Sequence, residues 1–294
     1  MRQNILVLLM LLLCQQALAE ENSSPASREQ PPGGRIEEVQ FPADFDGSVQ
    51  HYVLIHPPQR PPAADSAASA VQPDTALITL HGHGSDRWQF VKSPRDECAA
   101  ARKLAAEHGL LLVSPDYRAK TSWMGPAAEA DLVQIIHQLR REHRISRILL
   151  SGGSMGGTGA LTFAALHPAL IDGVVSLNGT ANLVEYPNFS EAIARSYGGT
   201  RAEVPEQYRR RSAEFFPWRF RTPLAATTGG QDRSVPPESV HRLIGQVRPR
   251  NSNVLLIHRP QGGHSTNAAD TRQALEFVLA RMQPRPLPPP LPER

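Results

Sequence analysis

The chain has 294 residues, of which 40% are hydrophobic and 20% are charged, and its formal net charge at pH 7 is +3. This length and composition suit a globular core in one large domain or two small ones. The charge is nearly balanced and no long basic run is present, which argues against nucleic acid as a partner.

The N-terminal residues have the pattern of an export signal. Arg2 precedes the apolar run ILVLLMLLLC, and the next residues, QQALAE, carry small side chains at signal-peptidase spacing. We therefore expect a signal peptide over residues 1–19, cleavage after Ala19, and a periplasmic or secreted protein. The apolar run is too short to predict a membrane span, so no stable membrane insertion is expected after cleavage. An uncleaved anchor or a lipid on Cys14 stays open, although the bulky Leu13 disfavours lipidation.

Cleavage at this position leaves Cys98 as the single cysteine, so the mature protein is expected to have no internal disulfide. The helical pattern around it favours a buried structural thiol over a reactive one. Residues 20–35 are rich in Pro, Ser and Gly and predict a flexible leader. Residues 283–294 are rich in Pro and predict an extended tail.

Between leader and tail, apolar strand patterns alternate with helical patterns. The predicted strands are 50–56, 75–82, 110–116, 145–152, 171–179, 223–230 and 253–259, and the predicted helices lie at 95–108, 126–143, after Ser154, and at 267–282. This alternation predicts an α/β fold, with a parallel sheet covered by helices on both faces and chemistry at the carboxyl ends of the strands. The interval 180–221 has no strand pattern and predicts a helical and irregular insertion, which either caps the site or packs against the domain.

The stretch GGSMG, residues 152–156, matches G-x-S-x-G directly after a strand and directly before a helix. In such a nucleophile elbow the serine occupies a tight turn, and its hydroxyl projects above the sheet. Ser154 is therefore the candidate nucleophile, and Met155 opens a helix whose free N–H groups face the site. The stretch lacks the Gly-Lys-Ser/Thr of a phosphate-binding loop. A purely structural turn is the remaining alternative.

A serine hydroxyl needs a base that is oriented by an acid. His264 lies in RPQGGHSTNAAD, between the last predicted strand and the last helix, and Asp232 lies in TTGGQDRSVPP, after the preceding strand. The order Ser, Asp, His on post-strand loops is the order found in α/β-hydrolases. Asp116, which follows another strand, is a rival for the acid.

The stretch LHGHGSD, residues 80–86, follows an earlier strand and is the candidate oxyanion loop. We expect the backbone N–H groups of His83 and Met155 to stabilise the developing negative charge. His81 and His83 also suggest a metal pair, but two histidines without a third ligand are weak evidence. No metal and no organic cofactor are expected.

These motifs together resemble an α/β-hydrolase over residues 36–282. More narrowly, GGSMGG, the segment SYGGT…VPEQYRRRSAEFF, GGQDRSVPP and GGHS resemble the catalytic domain of the prolyl oligopeptidase family and its esterase relatives. The resemblance implies a mostly parallel sheet, with Ser154 as nucleophile, Asp232 as acid and His264 as base.

Two departures from that family favour esters over peptides. The oligopeptidases usually place a β-propeller before the catalytic domain, and here fewer than sixty residues separate the signal from the strand at 75–82. Met155 also stands where the family commonly has an aromatic residue. The sequence thus predicts an exported serine esterase acting on a small-molecule or carbohydrate-linked acyl ester. A small serine peptidase or amidase, with Arg209–Arg211 binding a terminal carboxylate, is the alternative, and an inactive binding protein is a third reading.

Overall fold

The computed structural model of the protein describes residues 34–58 and 73–286. The expected signal peptide, the leader up to residue 33 and the tail from residue 287 lie outside the described residues. No helix in the described ranges has the length and the apolar character that crossing a membrane requires.

The centre of the fold is an eight-stranded sheet with the order β1-β2-β4-β3-β5-β6-β7-β8. The strands are β1 (Ile36–Pro42), β2 (Val49–Ile55), β3 (Thr75–Leu80), β4 (Leu111–Pro115), β5 (Arg147–Gly153), β6 (Gly173–Leu177), β7 (Leu224–Gly229) and β8 (Val254–Arg259). The pairs β1–β2 and β2–β4 are antiparallel, and all other neighbouring pairs are parallel. The mostly parallel sheet predicted from the sequence is confirmed.

Strand β1 was not predicted. Along IEEVQFP only Phe41 is buried, and the other side chains are exposed or half-buried. The strand lies at the edge of the sheet, where one face and one side meet solvent, so its sequence has no continuous apolar run to signal it.

Helices cover both faces of the sheet. They are α1 (Gln89–Lys92), α2 (Asp96–His108), α3 (Pro126–Glu142), α4 (Met155–Leu166), α5 (Ser190–Tyr197), α6 (Pro205–Arg210), α7 (Glu238–Val247) and α8 (Ala268–Leu279). On one face α3, α4 and α7 bury Leu132, Leu161 and Leu243 in a single cluster. On the other face α2 and α8 bury Leu104 and Leu275. The two-sided α/β-hydrolase architecture expected from the alternating patterns is therefore confirmed.

Helix α4 is almost completely enclosed, because every residue from Met155 to Ala165 is buried. It approaches strand β3 so closely that a β-carbon on Gly156 would lie 2.0 Å from the carbonyl oxygen of Leu80. Only glycine fits at this contact. The close approach places the start of α4 next to the end of β3, which is where the candidate oxyanion loop begins.

The interval 180–221 contains α5, α6 and two short 3₁₀ turns, at Ala213–Phe215 and Pro217–Arg219. It joins β6 to β7 and packs on residues 117–125, which follow β4. The hydroxyl of Tyr197 donates to the carbonyl oxygen of Trp123 over 3.0 Å, and Arg211 Nε donates to that of Met124 over 2.9 Å. We call residues 180–221 the insertion and residues 117–125 the bridging segment.

Candidate active site

Ser154 occupies a sharp turn between strand β5 and helix α4. Its φ is 57° and its ψ is −117°, a conformation that residues other than glycine rarely adopt. Its N–H donates to the carbonyl oxygen of Leu177 over 2.8 Å, which ties the turn to the neighbouring strand β6. The turn holds the hydroxyl at the carboxyl end of the sheet, directly before a helix N-terminus.

His264 and Asp232 complete a hydrogen-bonded chain with this hydroxyl. His264 Nε2 lies 2.8 Å from Ser154 Oγ, and His264 Nδ1 lies 2.7 Å from Asp232 Oδ2. The other carboxylate oxygen of Asp232 accepts the N–H groups of Ser234 over 2.9 Å and Val235 over 2.8 Å. Both oxygens are therefore committed, and only 1% of the Asp232 side chain is exposed, against 33% for His264. The structure brings the three residues singled out in the sequence together in the expected order.

The loops that carry Asp232 and His264 touch along their backbones. The N–H of Gln231 donates to the carbonyl oxygen of Gly262 over 2.8 Å. A β-carbon on Gly229 would lie 2.2 Å from the carbonyl oxygen of Gly263, so a larger residue cannot replace this glycine without moving the loops apart. The distance between acid and base is thus fixed by main-chain contact as well as by their side chains.

Asn178 supports the base loop and was not singled out from the sequence. It follows β6 with a φ of 50° and is buried. Its Oδ1 accepts hydroxyl groups from Thr227, at 2.9 Å, and from Thr266, while its Nδ2 donates to the carbonyl oxygen of Gly263 over 3.3 Å. An Asn-Gly pair immediately after a buried strand, where a left-handed backbone is tolerated, was the available signal.

The candidate oxyanion groups lie beside the nucleophile. A β-carbon on Gly82 would lie 3.9 Å from the β-carbon of Ser154, so the 81–85 loop passes directly over the elbow. The N–H of Gly82 is already donated to Gln89 Oε1 over 2.9 Å. Within residues 34–58 and 73–286, the N–H groups of His83 and Met155 donate to no protein acceptor. Met155 directly follows Ser154, and His83 lines the same cavity as Ser154, so both N–H groups are candidates for the oxyanion site.

Two cavities meet at the Ser154–His264 pair. One has a volume of about 680 Å³ and is walled by His83, Trp88 and Phe189, the last from the insertion. The second has a volume of about 900 Å³ and extends along the base loop past Asn178. A substrate held between them would have one group on each side of the reacting carbon.

The rival acid and the suggested metal pair have other partners. Asp116 Oδ2 lies 2.7 Å from Arg87 Nη1, and its Oδ1 accepts the N–H of Arg87 over 3.0 Å, so its carboxylate does not orient His264. His81 is fully buried, with its Nε2 3.0 Å from the carbonyl oxygen of Asp116. Burial lowers the pKa of His81. His83, in contrast, is exposed, and nowhere in the described ranges do three His, Cys, Asp or Glu side chains form a possible metal site.

The arginine cluster Arg209–Arg211 does not line either cavity at Ser154. Arg211 is buried with 1% of its side chain exposed and pairs with Glu129. Arg210 Nη2 lies 3.4 Å from the same carboxylate, and the guanidinium of Arg209 lies 5.0 Å from the ring centre of Phe215. The cluster therefore joins the insertion to helix α3 and is not available to bind a substrate carboxylate at the nucleophile.

The model of the prolyl oligopeptidase family (peptidase family S9) matches residues 117–283, more than half of the chain. The protein belongs to the prolyl oligopeptidase family. The matched range contains the bridging segment, the elbow, the insertion and both loops that carry Asp232 and His264. Members of this family and the similar proteins described next are serine hydrolases, and so is this chain.

One relative of known activity matches about half of the chain. The sn-1-specific diacylglycerol lipase ABHD11 of Xenopus tropicalis is 32% identical to this chain over 154 residues. The match covers 48% of this chain and 44% of that lipase. The match thus spans less than half of the lipase.

Among solved structures, the fluorophosphonate-binding serine hydrolase FphF of Staphylococcus aureus has a TM-score of 0.63 at 18% identity, covering 84% of this chain and 98% of that one. A puromycin-hydrolyzing peptidase of Mycobacterium tuberculosis has a TM-score of 0.67 at 18% identity, covering 86% and 40%. The esterase Pf2001 of Pyrococcus furiosus has a TM-score of 0.60 at 17% identity, covering 89% and 97%. At these identities the likeness shows the shared fold.

Proposed function

We propose that this serine hydrolase is an esterase that cleaves carboxylic esters through an acyl-enzyme on Ser154. The observation that carries the proposal is the continuous hydrogen-bonded chain from Ser154 Oγ through the ring of His264 to Asp232, with links of 2.8 Å and 2.7 Å. Each atom in this chain has the partner that proton transfer requires.

The reaction follows from this arrangement. Ser154 Oγ attacks the ester carbonyl carbon while His264 Nε2 takes the hydroxyl proton, and Asp232 holds the proton on Nδ1 and stabilises the imidazolium. The carbonyl oxygen becomes negatively charged and accepts the free N–H groups of Met155 and His83. His264 then gives its proton to the departing alcohol. Water repeats the sequence on the acyl-enzyme and releases the acid.

Three observations favour an ester over a peptide. The cluster Arg209–Arg211, which could have bound a peptide carboxylate, is paired away from both cavities. A relative that matches 48% of the chain is named a diacylglycerol lipase, and the similar P. furiosus structure is named an esterase. That esterase is covered over 97% of its length, whereas the M. tuberculosis peptidase is covered over 40%. We propose a small-molecule or carbohydrate-linked acyl ester as the substrate class.

A small serine peptidase or amidase is the second candidate, and the observation that favours it is membership of the prolyl oligopeptidase family. The same nucleophile, base and oxyanion donors would serve an amide. The difference lies in the leaving group, because an amine must be protonated before it departs, whereas an alkoxide leaves more readily.

Two measurements on the purified protein test these candidates. First, a fluorophosphonate probe should label wild-type protein on Ser154 and should not label Ser154→Ala; absence of wild-type labelling would indicate an inactive binding protein. Second, kcat/KM is compared for p-nitrophenyl esters and p-nitroanilides that carry the same acyl or aminoacyl group. An esterase turns over the ester far faster and leaves the aminoacyl anilides nearly untouched. Faster turnover of an aminoacyl anilide than of p-nitrophenyl acetate would overturn the ester assignment in favour of the peptidase. Prolonged dialysis against EDTA should leave either activity unchanged.

We also propose that the protein is exported. The support is the N-terminal sequence alone: Arg2, the apolar run and the small residues before Glu20. N-terminal sequencing or intact mass of protein recovered outside the cytoplasm should give a chain that starts at Glu20. A mature chain that retains Met1, or a diacylglyceryl group on Cys14, would contradict cleavage at Ala19.

A further inference from the structure

The bridging segment, residues 117–125, lies between the oxyanion loop and the insertion and contacts both. On the oxyanion side, the N–H of Gly84 donates to the carbonyl oxygen of Lys120 over 2.8 Å. The hydroxyl of Tyr117 donates to the carbonyl oxygen of His81 over 2.6 Å. The main chain on either side of His83 is thus attached to the bridging segment.

The side chain of Trp123 contacts His83 itself. Its indole Nε1–H donates to His83 Nδ1 over 3.2 Å, and the two ring centres lie 6.0 Å apart. Phe189 of the insertion contacts both rings, with centre distances of 4.6 Å to His83 and 5.2 Å to Trp123. Trp123 is completely buried, whereas His83 faces the cavity at Ser154.

The insertion fixes the backbone that carries this indole. Tyr197 and Arg211 donate to the carbonyl oxygens of Trp123 and Met124, as described above, and Ser196 Oγ donates to the carbonyl oxygen of Ser122. Trp123 has a φ of 42° and Met124 a φ of 54°, both in the left-handed region. Such conformations are unfavourable for residues other than glycine and persist only where surrounding contacts hold them. The three hydrogen bonds from the insertion therefore hold the backbone at Trp123 in this conformation.

The hydrogen bond also selects one form of the His83 ring. The part of the His83 ring that is shielded from solvent lowers its pKa, and the nearby charge of Arg195 lowers it further, so the neutral ring predominates at pH 7. A neutral ring that accepts a proton donor at Nδ1 must carry its own proton on Nε2. Turning the ring over would place Cδ2–H opposite Trp123 Nε1–H and would lose this hydrogen bond.

We infer that Trp123 is a positioning residue for the oxyanion site: its indole N–H holds the His83 ring, and thereby directs the backbone N–H of His83 toward the carbonyl oxygen at Ser154. This inference rests on the proposed function. It assigns the insertion a part in catalysis, because the insertion holds Trp123 and supplies Phe189, although it carries no member of the Ser154–His264–Asp232 chain.

The test removes the indole N–H and keeps an aromatic ring. Trp123→Phe is compared with Trp218→Phe, whose tryptophan is 54% exposed and lines neither cavity at Ser154. We measure kcat and KM for p-nitrophenyl acetate and the Ki of an alkyl trifluoromethyl ketone, which forms an oxyanion on the serine. Deleting an oxyanion donor costs about 10²–10³-fold in kcat, so misdirecting one should cost about tenfold. We expect that loss in kcat with KM within about twofold and a matching rise in Ki, and no change for Trp218→Phe.

His83→Ala provides the second arm, because it removes the ring but keeps the backbone N–H. It should cost about as much in kcat as Trp123→Phe, and the double variant should be no worse than either single variant. The exposed His83 side chain makes this variant informative even where Trp123→Phe fails to fold. Additive losses, a loss confined to KM, or unchanged kcat in His83→Ala would overturn the inference. Wild-type ester turnover and labelling of Ser154 report on the proposed function separately: if they succeed while the variants show no effect, only the role of Trp123 fails.

Discussion

Replacing Asp232 with Asn should nearly abolish turnover, because the structure determines which way the new amide faces. The two backbone N–H groups of Ser234 and Val235 both point at Asp232 Oδ1, at 2.9 Å and 2.8 Å. An asparagine can satisfy them only with its oxygen. Its NH₂ group must then occupy the position of Oδ2, which lies 2.7 Å from His264 Nδ1.

A donor at that position forces His264 Nδ1 to act as an acceptor and moves the ring proton to Nε2. Nε2 then faces Ser154 Oγ with a proton and cannot accept one, so the general base is lost while the side-chain shape is kept. A wrong tautomer of this kind costs about 10⁴-fold in kcat, equivalent to roughly 5.5 kcal/mol of transition-state stabilisation. Asp232→Ala leaves the ring free to adopt either tautomer and should be no worse than Asp232→Asn.

The assay is kcat and KM on p-nitrophenyl acetate, with circular dichroism to check folding. Asp116→Asn is the matched control, because its carboxylate binds Arg87 and not His264. It should keep kcat within a few-fold and lower the free energy of unfolding by about 1–3 kcal/mol, through the weakened ion pair. Near-wild-type turnover in Asp232→Asn, or a crippled Asp116→Asn, would refute the assignment of the acid.

Three further predictions concern the elbow, its packing and the buried thiol. Ser154→Gly and Ser154→Ala should both lose turnover. Chemical denaturation should find the glycine variant about 1 kcal/mol more stable than the alanine variant, because glycine relieves the backbone strain at a φ of 57°. Equal stabilities of the two variants would mean that the turn is not strained. Gly156→Ala should prevent stable folding, since its β-carbon would lie 2.0 Å from a backbone oxygen. Gly245→Ala, where the added β-carbon meets open space on helix α7, should instead raise the free energy of unfolding by about 0.5–1 kcal/mol. Thermal melts of the two variants test this difference, and equal melting temperatures would contradict it. Burial raises the pKa of Cys98 to about 12, so at pH 8 the native thiol should stay unmodified by iodoacetamide and react only in denaturant, and prompt alkylation would contradict this.

The sequence predicted the elements that position the chemistry because each has a strong local signal. Buried parallel strands such as β5 and β7 each contain a short apolar run, ILL in β5 and LAA in β7, and both strands end in glycine. Ser154, Asp232 and His264 each follow such a strand, so their topological positions were readable. Their distances were not, because these depend on how the sheet twists and on contacts between loops.

The features that were missed depend on partners distant in sequence. Nothing local to Asn178 indicates that its amide oxygen joins Thr227, which lies in β7, to Thr266, which follows β8. The run Arg209–Arg211 gives no sign of which arginine is buried, because helix α6 has only six residues and shows no clear periodicity. Arg211 is the buried one, and its partner Glu129 lies far away in the sequence, on α3. Contacts of this kind are decided by tertiary packing, which a single sequence does not encode locally.

The nucleophile and its base are separated by 110 residues along the chain. Strand β8 and the turn after it are made well after Ser154, and His264 approaches Ser154 only once β8 has paired with β7. A chain in which β8 has not yet paired therefore has an ordinary, unreactive serine, and the hydrolase becomes active only when β8 is in place. The rate at which a fluorophosphonate labels Ser154 therefore also reports when β8 has paired with β7. A chain that crosses a membrane before it folds would have no hydrolytic activity until it has folded on the other side.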